Sequence, residues 1–332
     1  MRRTIRRSRF FLLFLLFCAT SFGQVPIIFD TDMGNDIDDA LALAMLHSLA
    51  DRGECRLIGI TLTNANPLAV PYVRLLDKFY GRAGLPVGAA LRHIKDGDHD
   101  NYLGAAMQSV PAAYRDIKPE PPRVPAVVLL RRLLAGSSQK VTIVQVGFST
   151  NLAALLDSPG DSISPMSGKE LVKQKVLLLS AMAGNFSQPK PEYNVKLDIG
   201  AAQTVFEKWP TPIVFSGFEI GQKLLYPQES IETDFTYSGW HPVTASYRAY
   251  AKMPYSRPTW DLTAVLQAVR GHHQYFDVSE NGNVSVDDSG VTRFTPGDRD
   301  RRYLILNPAR TAGILEALTL LVSQPPRQNR AK

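Results

Sequence analysis

The sequence predicts a single-domain α/β fold: an open, mostly parallel (mixed) sheet with helices on both faces. Three observations predict it. From residue 25 to residue 215, short apolar runs of strand length alternate with longer segments that are apolar at helical spacing. Strand, helix, strand repeated in this order favours parallel pairing through helical crossovers. With 332 residues, 45% of them hydrophobic, the chain can bury a large core, and no repeat or linker divides it.

The elements follow in order. Residues 25–30 (VPIIFD) read as a short buried strand. In residues 37–50, Leu41, Ala44, Met45, Leu46 and Leu49 lie on or near one helical face. Residues 57–62 are a second strand, and 67–80 a helix with proline in its first turn. A helix over 125–135, a strand over 141–146 and a short helix over 151–156 come next. The apolar strand 176–182, the helix 199–209 and the strand 213–215 complete the alternation. After residue 230 the pattern changes. Residues 241–252 and 259–270 read as helices, and 275–294 as a hairpin turning at Asn281-Gly282-Asn283. A helix near 308–322 closes the fold, and the polar tail 324–332 is expected to be disordered.

Charge and the first residues bear on location. The formal charge is +6, but residues 1–23 hold five arginines and no acid, so the balance without them is +1. A nearly neutral chain gives no electrostatic case for nucleic acid. Those 23 residues have a basic start, an apolar run over 10–17 and small residues at Ala19, Ser21 and Gly23. They read as a signal peptide cut before Gln24, which implies export to the periplasm or beyond and no stable membrane span after processing. Bulky Leu16 and Phe17 before Cys18 argue against lipidation. Cys55 is the only thiol left, so no internal disulfide forms.

The chemistry is concentrated at the end of the first strand. Asp30-Thr31-Asp32-Met33-Gly34-Asn35-Asp36-Ile37-Asp38-Asp39 places five carboxylates in ten residues, with no Lys or Arg between Gln24 and Asp51. Carboxylates this close repel one another unless a cation sits among them. Hard oxygens suit Ca²⁺ or Mg²⁺, and so acid-rich a loop suits Ca²⁺ better. An EF-hand would need a preceding helix, whereas a strand precedes here. A phosphohydrolase of the haloacid dehalogenase type, with Asp30 as nucleophile, also places Asp-x-Asp after a strand. It is not usually followed by residues such as Asp36, Asp38 and Asp39.

The signature Asp30-Thr31-Asp32-x-Gly34-x-Asp36-x-Asp38-Asp39-Ala40 resembles that of the inosine/uridine-preferring nucleoside hydrolase family, with two extra residues before the Asp-Asp pair. The resemblance runs from about residue 25 to residue 261 and is weakest beyond 215. It implies that residues 24–323 form a nucleoside hydrolase-like catalytic domain. It also implies Ca²⁺-dependent hydrolysis of the N-glycosidic bond of a small ribonucleoside-like substrate, and a homodimer or homotetramer. By the same resemblance, Asp32, Asp39, the Val146 carbonyl and Asp261 are the calcium ligands, and Asp38 is the base that takes a proton from the attacking water. Asn66 (with Asn64 beside it), Asn185, Glu192 and Asn194 fall at ribose-contacting positions, and Met182 lies in the same strand-end region.

This chemistry is coherent. Cleaving a C–N glycosidic bond passes through an oxocarbenium-like sugar. A metal acidifies and positions water, and a carboxylate beside it accepts the proton. Each later residue also has a plainer reading. Asn66 would cap the helix that follows, Asn185 would make a turn, and Glu192 and Asn194 would be loop polars. Trp260 stands where many family members have the histidine that protonates the leaving base. Indole is no useful acid but can wall a base pocket. His241, Tyr247, Tyr250, His93, His99 and Asp100 remain as candidate acids. A rival from another class is a calcium-bearing protein that binds a ribosyl ligand without turning it over.

Overall fold

The structure, a computed structural model, describes residues 24–92, 94, 96, 97, 99–117 and 124–327. The predicted signal peptide, His93 and residues 328–332 lie outside the described residues. In chain order the strands are β1 (Val25–Thr31), β2 (Cys55–Leu62), β3 (Val87–Ala89), β4 (Val141–Gln145), β5 (Val176–Met182), β6 (Ile213–Ser216), β7 (Leu225–Tyr226), β8 (Arg257–Pro258), β9 (Asp277–Val278), β10 (Gly282–Val286), β11 (Thr292–Pro296) and β12 (Arg301–Ile305). The α-helices are α1 (Asp38–Asp51), α2 (Ala69–Phe79), α3 (Leu103–Gln108), α4 (Ala126–Gly136), α5 (Thr150–Asp157), α6 (Gly168–Lys175), α7 (Tyr193–Leu197), α8 (Ile199–Lys208), α9 (Phe218–Gly221), α10 (Gln228–Thr233), α11 (Pro242–Tyr250), α12 (Trp260–Arg270) and α13 (Thr311–Val322).

One sheet runs β11-β10-β12-β6-β5-β4-β1-β2-β3, with β9 along β12. Every pairing from β3 across to β12 is parallel, β9 and β10 run antiparallel to β12 and β11 antiparallel to β10, and β7 and β8 form a separate antiparallel pair. The expected mostly parallel, mixed sheet is therefore what forms. From β1 the chain builds outward through β2 and β3, then crosses to β4, β5 and β6 on the other side. The loops leaving β1 and β4 diverge at this switch, which opens a crevice beyond their carboxyl ends.

The pleat divides the core. Ile27 and Phe29 of β1 join the cluster under α1, α2, α12 and α13, while Ile28 joins the one under α4, α5, α6 and α8. Helix α1 is buried from Asp38 to Leu49. It lies against β2 and is covered by α12 and α13, which explains its apolar residues on every side.

Two expectations are corrected. The hairpin of β10 and β11 turns at Asp287–Gly290, where Asp287 Oδ1 accepts from Ser289 N (3.0 Å) and Val291 N (3.1 Å). Asn281-Gly282-Asn283 instead opens β10. The start of the tail is docked: Gln324 is buried, its Oε1 accepts from Arg52 Nε at 2.6 Å, and Arg327 N donates to Asp51 Oδ2 at 2.8 Å. The Gln324 side chain and the Arg327 backbone N–H meet the end of α1 because α13 carries them there.

Candidate active site

The loop leaving β1 turns back sharply to start α1. Gly34 makes that turn with φ +116°, and a Cβ there would lie 2.6 Å from Leu103 Cδ1. Asn64, beyond β2, braces the loop: its Nδ2 donates to the carbonyls of Asp32 (2.8 Å) and Met33 (3.1 Å). Asp38 and Asp39 then fall in the first turn of α1, and Asp261 in the first turn of α12. Two helix N-termini thus converge, and each favours acid side chains there. The Asp261 N–H donates to Asp38 Oδ2 at 3.1 Å, and Thr31 Oγ1 donates to Asp39.

Carboxylate oxygens of Asp38, Asp39 and Asp261 lie within 4.8 Å of one another, all three residues being buried. Burial, together with the charges of their acidic neighbours, holds all three carboxyls well above the usual range. Asp32, on the same cavity wall, is pushed up to about 8 by burial and by the Asp36 and Glu192 charges. Such a group is costly unless protons or a cation offset the repulsion. Convergent buried carboxylates from separate elements are the donor set a hard divalent cation takes, so these residues fit such an ion.

Beside them opens a cavity of about 290 Å³. Val146, Met182, Glu192 and Asn194 line it, as expected. Asn194 Nδ2 donates to the carbonyls of Val146 (2.8 Å) and Met182 (3.2 Å), tying β4, β5 and α7 together. Glu192 caps α7, accepting from the N–H groups of Asn194 (2.9 Å) and Val195 (3.2 Å), and also from that of Gly184 (3.2 Å). Burial raises its carboxyl to about 7 against those hydrogen bonds. Trp260 forms part of the opposite wall, stacked on Phe218 with ring centroids 5.5 Å apart. Its Nε1 donates to the Phe218 carbonyl at 2.9 Å.

Comparison with known proteins agrees with this geometry. Residues 27–308 match the family model of the inosine-uridine preferring nucleoside hydrolases. The chain belongs to that family. The pyrimidine-specific ribonucleoside hydrolase RihA of Salmonella dublin is 32% identical over 219 residues, 63% of this chain. The match spans 65% of the length of that curated relative. Among solved structures, a plant nucleoside hydrolase, PpNRh1, is 20% identical, with a TM-score of 0.68 over 91% of this chain and 99% of that one. The inosine-uridine preferring nucleoside hydrolase of Bacillus anthracis is 18% identical, with a TM-score of 0.68 over 90% and 99% of the two chains. At these identities the two structures show the fold.

Within this nucleoside hydrolase-family site, not every expected residue is brought in. Asn66 turns away: its Nδ2 donates to the His99 carbonyl (2.9 Å), and its Oδ1 accepts from Leu68 N (2.8 Å) ahead of α2. Asn185 closes a turn on Ser187 N (3.2 Å) and Gln188 N (2.9 Å), and lies on a separate shallow pocket. For both, the plainer structural reading wins. Asp30 is fully buried, accepting from Thr61 Oγ1 (2.6 Å) and Asn151 Nδ2 (2.8 Å). It does not line the cavity, which removes the phosphohydrolase nucleophile.

Of the candidate acids among the described residues, Tyr250 alone lines the cavity. His241 is buried among Phe79, Phe235 and Tyr237, and burial lowers its pKa to about 3. The Tyr247 hydroxyl donates to the Tyr255 carbonyl at 3.1 Å. His99 offers its carbonyl to Asn66, and Asp100 accepts from Gly104 N at 2.9 Å.

Sequence reasoning missed the partner of Asp36. Arg257 Nε donates to Asp36 Oδ1 at 2.9 Å and Nη2 pairs with Oδ2, the guanidinium lying 5.1 Å from the Tyr250 ring centroid and 5.4 Å from that of Trp260. The available signal was an unneutralised acid in the extra residues of the motif and an arginine three residues before Trp260.

Proposed function

We propose that this protein hydrolyses the N-glycosidic bond of ribonucleosides in a Ca²⁺-dependent reaction. The observation that carries the reading is the convergence of Asp38, Asp39 and Asp261, buried beside a cavity of about 290 Å³ at the sheet's switch point. Asp32, Asp39, Asp261 and the Val146 carbonyl would hold the ion. Bound there, calcium supplies charge neutralisation and a more acidic water.

The chain's own residues do the remainder. Asp38, held by the Asp261 N–H, accepts the proton of the attacking water. Asn194 commits its Nδ2 to two carbonyls, which leaves its amide oxygen to accept from a ribose hydroxyl. Glu192, fixed as a helix cap, stands beside it to receive a second hydroxyl. These groups are rigid before substrate arrives, so little is lost in ordering them. The Trp260–Phe218 stack offers an apolar wall to the base.

The test uses the purified full chain and a panel of ribonucleosides, scoring free ribose with chelator, without it, and after calcium is restored. Ribose release abolished by chelator and recovered with calcium is expected. Release indifferent to the chelator removes the metal. No release from any ribonucleoside removes the enzyme and favours the ribosyl-ligand binder, the reading that Trp260 in place of an acid supports. We propose export as well, on the composition of residues 1–23. Amino-terminal sequencing of the protein made in its own cells is expected to begin at Gln24, and an intact amino terminus defeats that proposal.

A further inference from the structure

The cavity wall opposite the carboxylates carries three hydrogen-bond donors, and their commitments differ. Trp260 Nε1 is used on the Phe218 carbonyl at 2.9 Å. The Tyr250 hydroxyl has Asp36 as its partner. Arg257 gives Nε and Nη2 to the same carboxylate. Among the described residues no group accepts from Arg257 Nη1. The guanidinium cannot drift, because Asp36 holds one edge and the rings of Tyr250 and Trp260 flank it at 5.1 and 5.4 Å. Its side chain is 28% exposed, so part of its charge is screened, but it lines the same cavity as Asp38 and Asp261.

We propose that Arg257 is the catalytic residue for departure of the base: its Nη1 donates to an oxygen of the leaving base, so a base with a carbonyl beside the glycosidic nitrogen, the pyrimidine type, gains most from it. This rests on the N-glycosidase reading above. When the bond from the anomeric carbon to nitrogen breaks, its electron pair goes to the base. In a pyrimidine, that charge spreads from the nitrogen to the neighbouring carbonyl oxygen, where a fixed guanidinium holds it. The water oxygen bonds to the anomeric carbon, and its proton goes to Asp38. The departed base then takes a proton from solvent. A guanidinium stays charged throughout, so it holds the anion without acting as an acid. Asp36 is a positioning residue: it aims the guanidinium from the two-residue extension of the acidic motif.

The experiment compares Arg257→Met, Arg257→Lys and Asp36→Asn with the unaltered full chain in calcium. The substrates are uridine, inosine and p-nitrophenyl β-D-ribofuranoside, whose phenolate needs little help to leave. The unaltered protein is expected to prefer uridine to inosine. Arg257→Met is expected to lower kcat on uridine roughly 100-fold, with a loss on the nitrophenyl riboside at least about tenfold smaller. Arg257→Lys is expected to recover part of the uridine rate, and Asp36→Asn to fall between, mainly in kcat. Equal losses on uridine and the nitrophenyl riboside, or a preference for inosine, overturn the inference. If Arg257→Met does not fold, as judged by its melting, the same comparison of substrates is made with Arg257→Lys, and equal losses there overturn it too. An unaltered protein that cleaves the nitrophenyl riboside while uridine turnover ignores all three changes sinks the inference alone. One that cleaves no riboside sinks the N-glycosidase reading beneath it.

Discussion

The two walls of the cavity are built by different means. The wall of Asp32, Asp38, Asp39, Val146, Met182 and Asn194 comes from loops that leave neighbouring parallel strands or open the helices after them. Its residues stand at strand ends, so the sheet itself fixes their spacing. The other wall, Phe218, Tyr250, Arg257 and Trp260, comes from the segment between β6 and β9. There the main sheet does not set the positions; the short antiparallel pair of β7 and β8, aromatic stacking and the Arg257–Asp36 pair do. The strand-end wall carries chemistry that a fold can hold in common with its relatives. The aromatic wall is where one chain can differ from another.

Asp261 belongs to both walls, and changing it should give the largest effect. Asp261→Asn keeps the shape and removes one charge from a group whose oxygens lie within 4.8 Å of two other carboxylates. Calcium affinity measured by titration calorimetry is expected to fall at least about 100-fold, and ribose release by roughly 1,000-fold or more. In chelator the variant is expected to melt higher than the unaltered chain, because a like charge has gone. A variant that binds calcium as before would separate Asp261 from the strand-end wall.

The pH dependence of stability sharpens the comparison at a smaller scale. In chelated protein, Asp32 is raised from 3.8 to about 8 and Glu192 from 4.5 to about 7, burial being the largest cause in both. A carboxyl raised by folding keeps its proton where the unfolded chain has already released it. The resulting stability is present below about pH 4 and is lost as pH rises towards about 8. Melting temperature in chelator is expected to fall over that window, by about 5 °C. Saturating calcium should replace those protons and flatten the slope. An unchanged slope with calcium would mean that the ion binds elsewhere.

The same division governs what the sequence discloses. The parallel core is legible because strands β1, β2, β4, β5 and β6 are apolar runs separated by segments apolar at helical spacing, a pattern that depends only on local spacing. The acidic centre is legible because five aspartates in ten residues violate the ordinary electrostatics of a buried strand end. Strand β12 is not readable: it begins with two arginines, and Arg301 is buried only because it donates to the carbonyls of Phe206 (3.0 Å) in α8 and Thr211 (2.9 Å) in the turn after it. Arg257 is hidden for the same reason, since its partner lies 221 residues away. Asn66 and Asn185 show the converse. Their place after a strand invites a substrate role, but each amide is consumed by its own neighbourhood, and no one-dimensional pattern tells a satisfied asparagine from a free one.

Asn66 therefore offers the smallest and cleanest test of that distinction. Its side chain ties the His99 carbonyl to the turn before α2 and does not line the cavity. Asn66→Ala is expected to cost about 1 kcal/mol of stability, as loss of a capping side chain does, and to change kcat less than about threefold. Asn194→Ala, which frees the Val146 and Met182 carbonyls, should lower kcat/KM far more for a similar loss of stability. Melting curves and ribose release measured on the two variants together separate the roles. If Asn66→Ala loses activity as Asn194→Ala does, the loop bearing His99 moves on substrate binding and carries Asn66 into the site.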